Sequence, residues 1–373
     1  MKRIVIIAGE LSGDTHASGL MSEMLLRAPD TKFIGLGGPA MRQVSPGIED
    51  WIASAAVVGL SEVLQRYSYF KQRFDACLEA IAVEKPDAVI LVDYPGFNLR
   101  LAKAIREQKI ETKILYYISP QVWAWKKGRI KEMARTLDLM ICIFPFEKPL
   151  YEKSGLRTEF PGHPMVDRVK TLRRPWPREP GLVGWFPGSR MNEVKKLFPV
   201  MMKAAQEIAK QVPNARFAVS AANEVLASEM RAMADAAGMP EAKRWIETGT
   251  VYDLMQRAQV GAVASGTATL EAACFGLPYA LIYKVAWPTY LAAKVLVRIQ
   301  FIGIINVLAG REVVQELIQH RCSPKRIANA LSELLLSTDK RTALERDLAT
   351  VVATLGEGGA YARAAELVLK ALT

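Results

Sequence analysis

Short apolar runs alternate with amphipathic stretches through the first half of the chain: RIVIIA (3–8), KFIGLGG (32–38), DAVILVDYP (87–95), KILYYISP (113–120) and DLMICIFP (138–145). Unbroken Val, Ile and Leu runs of this length fit strands covered on both faces, as in a parallel sheet. Between the first two runs, HASGLMSEMLLRA (16–28) predicts a covering helix with Leu20, Met24 and Leu25 on one face. At 168–181 the pattern gives way to RVKTLRRPWPREPG, which is basic and carries three prolines, so it reads as a linker. Apolar runs then resume at LVGWFPGSR (182–190), ARFAVSA (215–221), RWIET (244–248), VGAVASG (260–266) and PYALIYK (278–284), with helical stretches such as VMMKAAQEIAKQV (200–212) between them. After Asn306 the chain reads as helical to its end, apart from loops at RCSPKR (321–326) and GEGGAY (356–361).

The expected fold class is α/β, with two Rossmann-like domains facing a cleft and a helical C-terminal tail. Domain boundaries follow at 1–167, 168–181 for the linker, 182–340, and 341–373 for the tail. Ligands of such sheets sit beyond the C-terminal ends of the strands, so the loops there are where chemistry is sought.

Composition narrows the partners. Half of the 373 residues are hydrophobic, which excludes a disordered chain, and the net charge of +11 favours an anionic partner: nucleic acid, a phosphorylated substrate or an acidic lipid surface. Cys77, Cys142, Cys274 and Cys322 are scattered and read as free, buried thiols of a reducing cytoplasm. MKRIVIIAGE meets an acid and a glycine too early for a secretory signal, and Val285 to Leu308 is broken by Pro288, Lys294 and Arg298, so neither is read as a membrane span. His16, His163 and His320 have no metal-ligand neighbours at helical spacing, so no metal and no cofactor are expected; His16 and His320 read as structural, while His163 sits in a tight Gly/Pro turn.

Several loops carry candidate chemistry. In AGELSGD (8–14), Glu10, Ser12 and Asp14 crowd the end of the first strand without the GxGxxG of a nucleotide loop. LVDYPGFN (91–98) puts Asp93 at a strand end, where it serves either as a general base or as a helix cap. WFPGSRMNEV (185–194) places Ser189 and Arg190 before a helix and Glu193 in its first turn, an arrangement suited to an anion. VASGTATLE (263–271) repeats that architecture with Ser265, Gly266 and Thr267, and its Glu271 could accept from sugar hydroxyls. Together the two turns suggest one diphosphate gripped from two sides. SPQVWAWKKGRIK (119–131) interleaves Trp123 and Trp125 with Lys126, Lys127, Arg129 and Lys131, which suits single-stranded nucleic acid, a sugar phosphate or a lipid phosphate. It follows a core strand rather than forming a long basic stripe, so nucleic acid is not expected as a partner. Finally, VVGLSEVLQRYSYFKQRF (57–74) predicts an amphipathic helix whose stripe of Leu60, Val63, Leu64, Tyr67 and Phe70 either packs on the core or rests on a membrane.

Taken in order, AGELSGD, GLGGPAM (35–41), VVGLSEVL (57–64), VDYPGFN (92–98), YYISPQVWAW (116–125), FPFEKPLYEKSG (144–155), FPGHPMVD (160–167), PGSRMNEV (187–194), ASGTATLEAA (264–273) and NVLAGREVVQELIQ (306–319) resemble the lipid A disaccharide synthases over almost the whole chain. The resemblance implies a GT-B fold and a metal-independent inverting transfer from UDP-2,3-diacylglucosamine to 2,3-diacylglucosamine 1-phosphate, giving a β-1,6-linked disaccharide phosphate and UDP. It implies Asp93 as base, with Glu10, Ser12, Asp14, Trp123 and Trp125 on the acceptor side. Arg190 would sit at the UDP diphosphate, Ser265, Gly266, Thr267 and Glu271 in the donor loop, and Asn306, Glu316 and Gln319 facing the nucleotide. Position 96, where family members can carry an acid, is Gly96 here. The same resemblance implies a peripheral protein on the inner face of the cytoplasmic membrane and a homodimer with exchanged C-terminal segments. Rival readings are a UDP-N-acetylglucosamine 2-epimerase, a lipid II-forming transferase and, in another class, a non-catalytic RNA-binding protein.

Overall fold

The structure is a computed structural model that describes residues 2–52, 67–122, 128–287 and 300–373. It divides into two compact units, residues 1–164 with 355–373, and residues 165–354.

The first unit is a seven-stranded, all-parallel sheet. Its strands are β1 (Arg3–Ala8), β2 (Lys32–Gly37), β3 (Ile48–Asp50), β4 (Ala88–Val92), β5 (Lys113–Tyr117), β6 (Leu139–Ile141) and β7 (Thr158–Glu159), in the order β3-β2-β1-β4-β5-β6-β7. Described helices in chain order are α1 (Leu11–Arg27), α2 (Pro39–Val44), α3 (Tyr67–Glu84), α4 (Pro95–Glu107), α5 (Arg129–Thr136) and α6 (Glu147–Glu152). Strand alternation sorts the core into two layers. Ile4, Ile6, Ala8, Ile90 and Val92 pack with Leu20, Met21 and Met24 of α1, whereas Val5, Ile7, Val89 and Leu91 pack with Phe97, Leu101 and Ile105 of α4. The helical face expected at Leu20, Met24 and Leu25 is therefore the one that packs on the sheet.

The second unit opens with α7 (Pro164–Leu172) and holds β8 (Glu179–Phe186), α8 (Met191–Gln211), β9 (Arg216–Ala221), α9 (Glu224–Ala236), β10 (Ile246–Thr248), α10 (Val251–Arg257), β11 (Ala258–Ala264), α11 (Thr267–Cys274), β12 (Tyr279–Tyr283), α12 (Ile304–Ala309), β13 (Glu316–Ile318), α13 (Pro324–Leu336) and α14 (Thr338–Ala353). Its parallel sheet runs β10-β9-β8-β11-β12-β13, the doubly wound order again. The chain then returns to the first unit as α15 (Ala360–Ala371), which buries Ala364, Ala365 and Val368 in the layer that holds α1.

Three expectations change. The stretch after Asn306 is not helical throughout, because Gly310 ends α12 at a φ of +65° and ELI then pairs with β12 as an edge strand, Leu281 opposite Glu316. The linker shrinks to 173–178, since 168–172 lie in α7 and 179–181 in β8. That basic segment is pinned: Arg178 donates to the carbonyls of Met255, Ala258 and Phe275, and Arg173 to that of Cys274. The tail divides at Leu355, with α14 in the second unit and α15 in the first. Phe70 meets Trp51 edge-on at 6.3 Å and packs on the core, so its ring is not part of an outward stripe. Leu60, Val63, Leu64, Trp123, Trp125, Lys126 and Lys127 lie outside the described residues, as do Pro288, Lys294, Arg298 and the side chain of Tyr67. The four cysteines are free, and all but Cys77 are buried.

Candidate active site

In each sheet the strand order reverses between two adjacent strands, and the loops leaving those strands splay apart to leave room for a ligand. In the first unit the pair is β1 and β4, with Ala8 opposite Val92. Glu10 and Asp93 leave these paired ends, so two acids share one crevice. Burial first, then the neighbouring Glu10 charge, pushes the Asp93 carboxyl up to about 6, against a backbone hydrogen bond from Tyr94 that lowers it. A carboxyl that loses its proton near neutrality suits a general base. Asp93 and Tyr94 both sit in the left-handed region, φ +46° and +48°, which costs non-glycine residues about 1–3 kcal/mol each.

One glycine interlocks this corner with the first loop. A Cβ on Gly9 would stand 2.3 Å from the Tyr94 ring, so the AGELSGD turn leaves the space that Tyr94 fills. Asp14 departs from the acceptor-side expectation. It is 2% exposed, and its carboxylate accepts from the N–H groups of Gly38 (2.8 Å), Ala40 (2.9 Å) and Met41 (3.0 Å), so it caps α2 and ties AGELSGD to GLGGPAM. Glu10 and Ser12 remain exposed at the start of α1. His16 joins Tyr361 of α15 at 2.9 Å, while burial, with His16 nearby, pushes the His163 ring down to about 3 and keeps it neutral.

In the second unit the reversal falls between β8 and β11, with Phe186 opposite Val263. After β8, Gly188 takes a φ of +103°, and a Cβ there would stand 2.3 Å from Glu193 Oε2. Ser189 is exposed; Arg190, 76% exposed, is held loosely by Glu193 at 3.2 Å ahead of α8. Tyr283, at the end of β12, feels the charges of both Glu193 and Arg190. After β11, Ser265 donates its N–H to Ile282, Gly266 turns the chain at φ +149°, and Thr267 opens α11. Glu271 accepts from the Tyr252 hydroxyl at 2.9 Å, and Arg168 lies 5.1 Å over the Tyr252 ring. Burial raises the Glu271 carboxyl, with Tyr252 and Arg168 opposing the rise.

Asn306, Glu316 and Gln319, expected to face the nucleotide, are instead occupied by their own unit. Asn306 is 1% exposed; its Nδ2 donates to Val314 O and Glu316 Oε1, and its Oδ1 accepts from the N–H groups of Val313 and Val314. Glu316 also accepts from the N–H groups of Ile302 and Gly303, and Gln319 brackets Val285 through both ends of its amide. These side chains have little bonding capacity left for a ligand; they shape the loops beside β12 and β13. Sequence reasoning missed Tyr94, Tyr252, Tyr283 and Arg168. Arg168 was hidden by its place in an apparent linker, and the tyrosines by a spacing from their partners that follows no local period.

Two doubly wound parallel sheets, with an acid at the reversal point of the first and an exposed arginine at that of the second, define the class: a GT-B fold of the glycosyltransferase and sugar-nucleotide epimerase type. The fold is similar to that of S. aureus MnaA solved with UDP (TM-score 0.65, 12% identity, 99% of this chain and 95% of that one) and to MurG of Acinetobacter baumannii (TM-score 0.59, 11% identity, 99% and 100%). Those identities speak to fold alone. The family model described as lipid-A-disaccharide synthetase matches residues 4–371, and a lipid-A-disaccharide synthase of Geobacter sulfurreducens is 41% identical over 380 residues, covering 99% of this chain and 97% of the relative. The chain belongs to the lipid-A-disaccharide synthetase family, and it is a glycosyltransferase of lipid A disaccharide formation. Among the described residues, no helix is long and apolar enough to cross a membrane.

Proposed function

We propose that this chain transfers the sugar of UDP-2,3-diacylglucosamine to the 6-hydroxyl of 2,3-diacylglucosamine 1-phosphate, with inversion, releasing UDP. The observation that carries the reading is the Asp93 carboxyl, half-buried just past the end of β4, with its pKa pushed up to about 6. Asp93 takes the hydroxyl proton as the acceptor oxygen attacks the anomeric carbon and the bond to the UDP oxygen breaks. Arg190 and the free N–H groups opening α8 and α11 offset the charge that grows on the departing diphosphate. Glu271, steadied by Tyr252, accepts from donor hydroxyls, and Glu10 and Ser12 line the acceptor side. The net charge of +11 supports residence on an anionic membrane surface. The contacts of α15 with α1 are of the kind that an exchanged dimer would reproduce between two chains.

The test is incubation of the purified protein with both acylated sugars, with products read by mass spectrometry. A disaccharide 1-phosphate and one UDP per turnover are expected. Free diacylglucosamine, or conversion of UDP-N-acetylglucosamine to its 2-epimer with no disaccharide, would overturn the reading.

A further inference from the structure

The carboxyl of Asp93 can be no better placed than the peptide that carries it, and that peptide is gripped by two buried side chains. The last ladder bond of the strand runs from the Asp93 N–H to Tyr117 O at 3.0 Å, after which Asp93 and Tyr94 turn into the left-handed region. The Asp93 carbonyl then accepts from the Tyr116 hydroxyl at 2.5 Å and from Asn98 Nδ2 at 2.8 Å. Asn98 Nδ2 also reaches Val92 O at 3.2 Å, and two carbonyls facing it fix which end of the amide is the donor. Tyr116 and Asn98 are both 0% exposed and come from separate elements, β5 and the first turn of α4.

Asn98 bears a cost for this orientation. Its Oδ1 is buried with no hydrogen-bond partner among the described residues, a condition that interiors avoid unless something else is gained. What is gained is a donor on the Asp93 carbonyl. Tyr94 closes the corner from the other side: its carbonyl accepts from the N–H groups of Phe97 and Asn98, and its ring lies edge-on to Trp51 at 5.9 Å.

We propose that Tyr116 and Asn98 are positioning residues that clamp the Asp93 carbonyl and so hold the Asp93–Tyr94 corner in the conformation that aims the carboxyl at the acceptor. The proposal rests on the reading of Asp93 as the base. Without the clamp, the peptide relaxes toward the extended region that non-glycine residues favour, and the carboxyl turns off line. Misplacement of about 1 Å is enough to cost catalysis about 100-fold.

Tyr116→Phe keeps the ring in the core and removes only the hydroxyl. We expect kcat to fall by about 10- to 100-fold, while donor KM and UDP affinity stay within about twofold of wild type, because the donor-binding groups are untouched. The acid limb of the kcat profile should move below its wild-type position, as water reaches the released carboxyl. Asn98→Ser should act in the same direction, and it serves as the test if Tyr116→Phe does not fold. A folded variant with wild-type kcat and an unmoved acid limb overturns the clamp, and so does a loss confined to KM. Asp93→Asn, assayed alongside, separates the two claims. If it is active, the base reading fails and the clamp with it; if it is inactive beside fully active Tyr116→Phe and Asn98→Ser, the clamp alone is rejected.

Discussion

Replacing Asp93 by Asn removes a charge that the fold holds at a cost and a base that the reaction needs, so stability and activity should move in opposite directions. Burial, then Glu10, raises the carboxyl from 3.8 to about 6. At about 1.4 kcal/mol per pKa unit, this is about 3 kcal/mol of penalty on the charged form, and the partial solvent access of the side chain reduces it to about 1–2 kcal/mol. The folded pKa lies above the unfolded one, so the native state takes up the proton first on acidification. The penalty is therefore full above pH 6 and fades as the pH falls through 6 toward 4. The Asn variant should melt about 2–8 °C above wild type at pH 8 and alongside it at pH 4, taking about 2–4 °C per kcal/mol for units of this size. Turnover at pH 8 should drop by about 100- to 10,000-fold. Thermal unfolding at the two pH values, with initial rates of disaccharide formation, checks both. An Asn variant no more stable than wild type at pH 8 would show that the carboxylate is not desolvated, and near-normal turnover would remove Asp93 as the base.

Two further substitutions separate ligand binding from scaffold. Arg190 is 76% exposed and carries only a loose pair with Glu193, so Arg190→Ala should leave the melting temperature unchanged. It should nevertheless weaken UDP binding by about 10- to 100-fold in titration calorimetry, and unchanged affinity would exclude its role at the diphosphate. Asp14→Ala should do the reverse. With the N–H groups of Gly38, Ala40 and Met41 left unsatisfied, the first unit should lose about 3 kcal/mol in denaturant unfolding, and a loss below about 1 kcal/mol would show that the cap is dispensable.

Much of the fold was legible because parallel strands buried on both faces leave unbroken apolar runs, and RIVIIA, DAVILV, LVGWF and PYALIY all became strands. The edge strand at Glu316–Ile318 was not legible: three residues in a stretch of helical composition carry no period, and their strand state is set by pairing with β12. Among the candidate site residues, Asp93 and Arg190 were legible as candidates because each lies in a loop that leaves a strand at the reversal point of its sheet. Asp14, Asn306, Glu316 and Gln319 could not be told from ligand-binding residues. An acid or amide in a loop looks the same in sequence whether it faces substrate or satisfies backbone N–H groups, and only the hydrogen-bond partners separate the two.

The central claim is a direct displacement, with the acceptor hydroxyl deprotonated by Asp93 as UDP leaves. NMR of the disaccharide formed from the α-linked UDP donor tests it most directly, through the coupling of the new anomeric proton. A single β-1,6-linked product, formed without free monosaccharide, is the expected result; an α-linked product, or one made equally well by the Asp93→Asn enzyme, would contradict it.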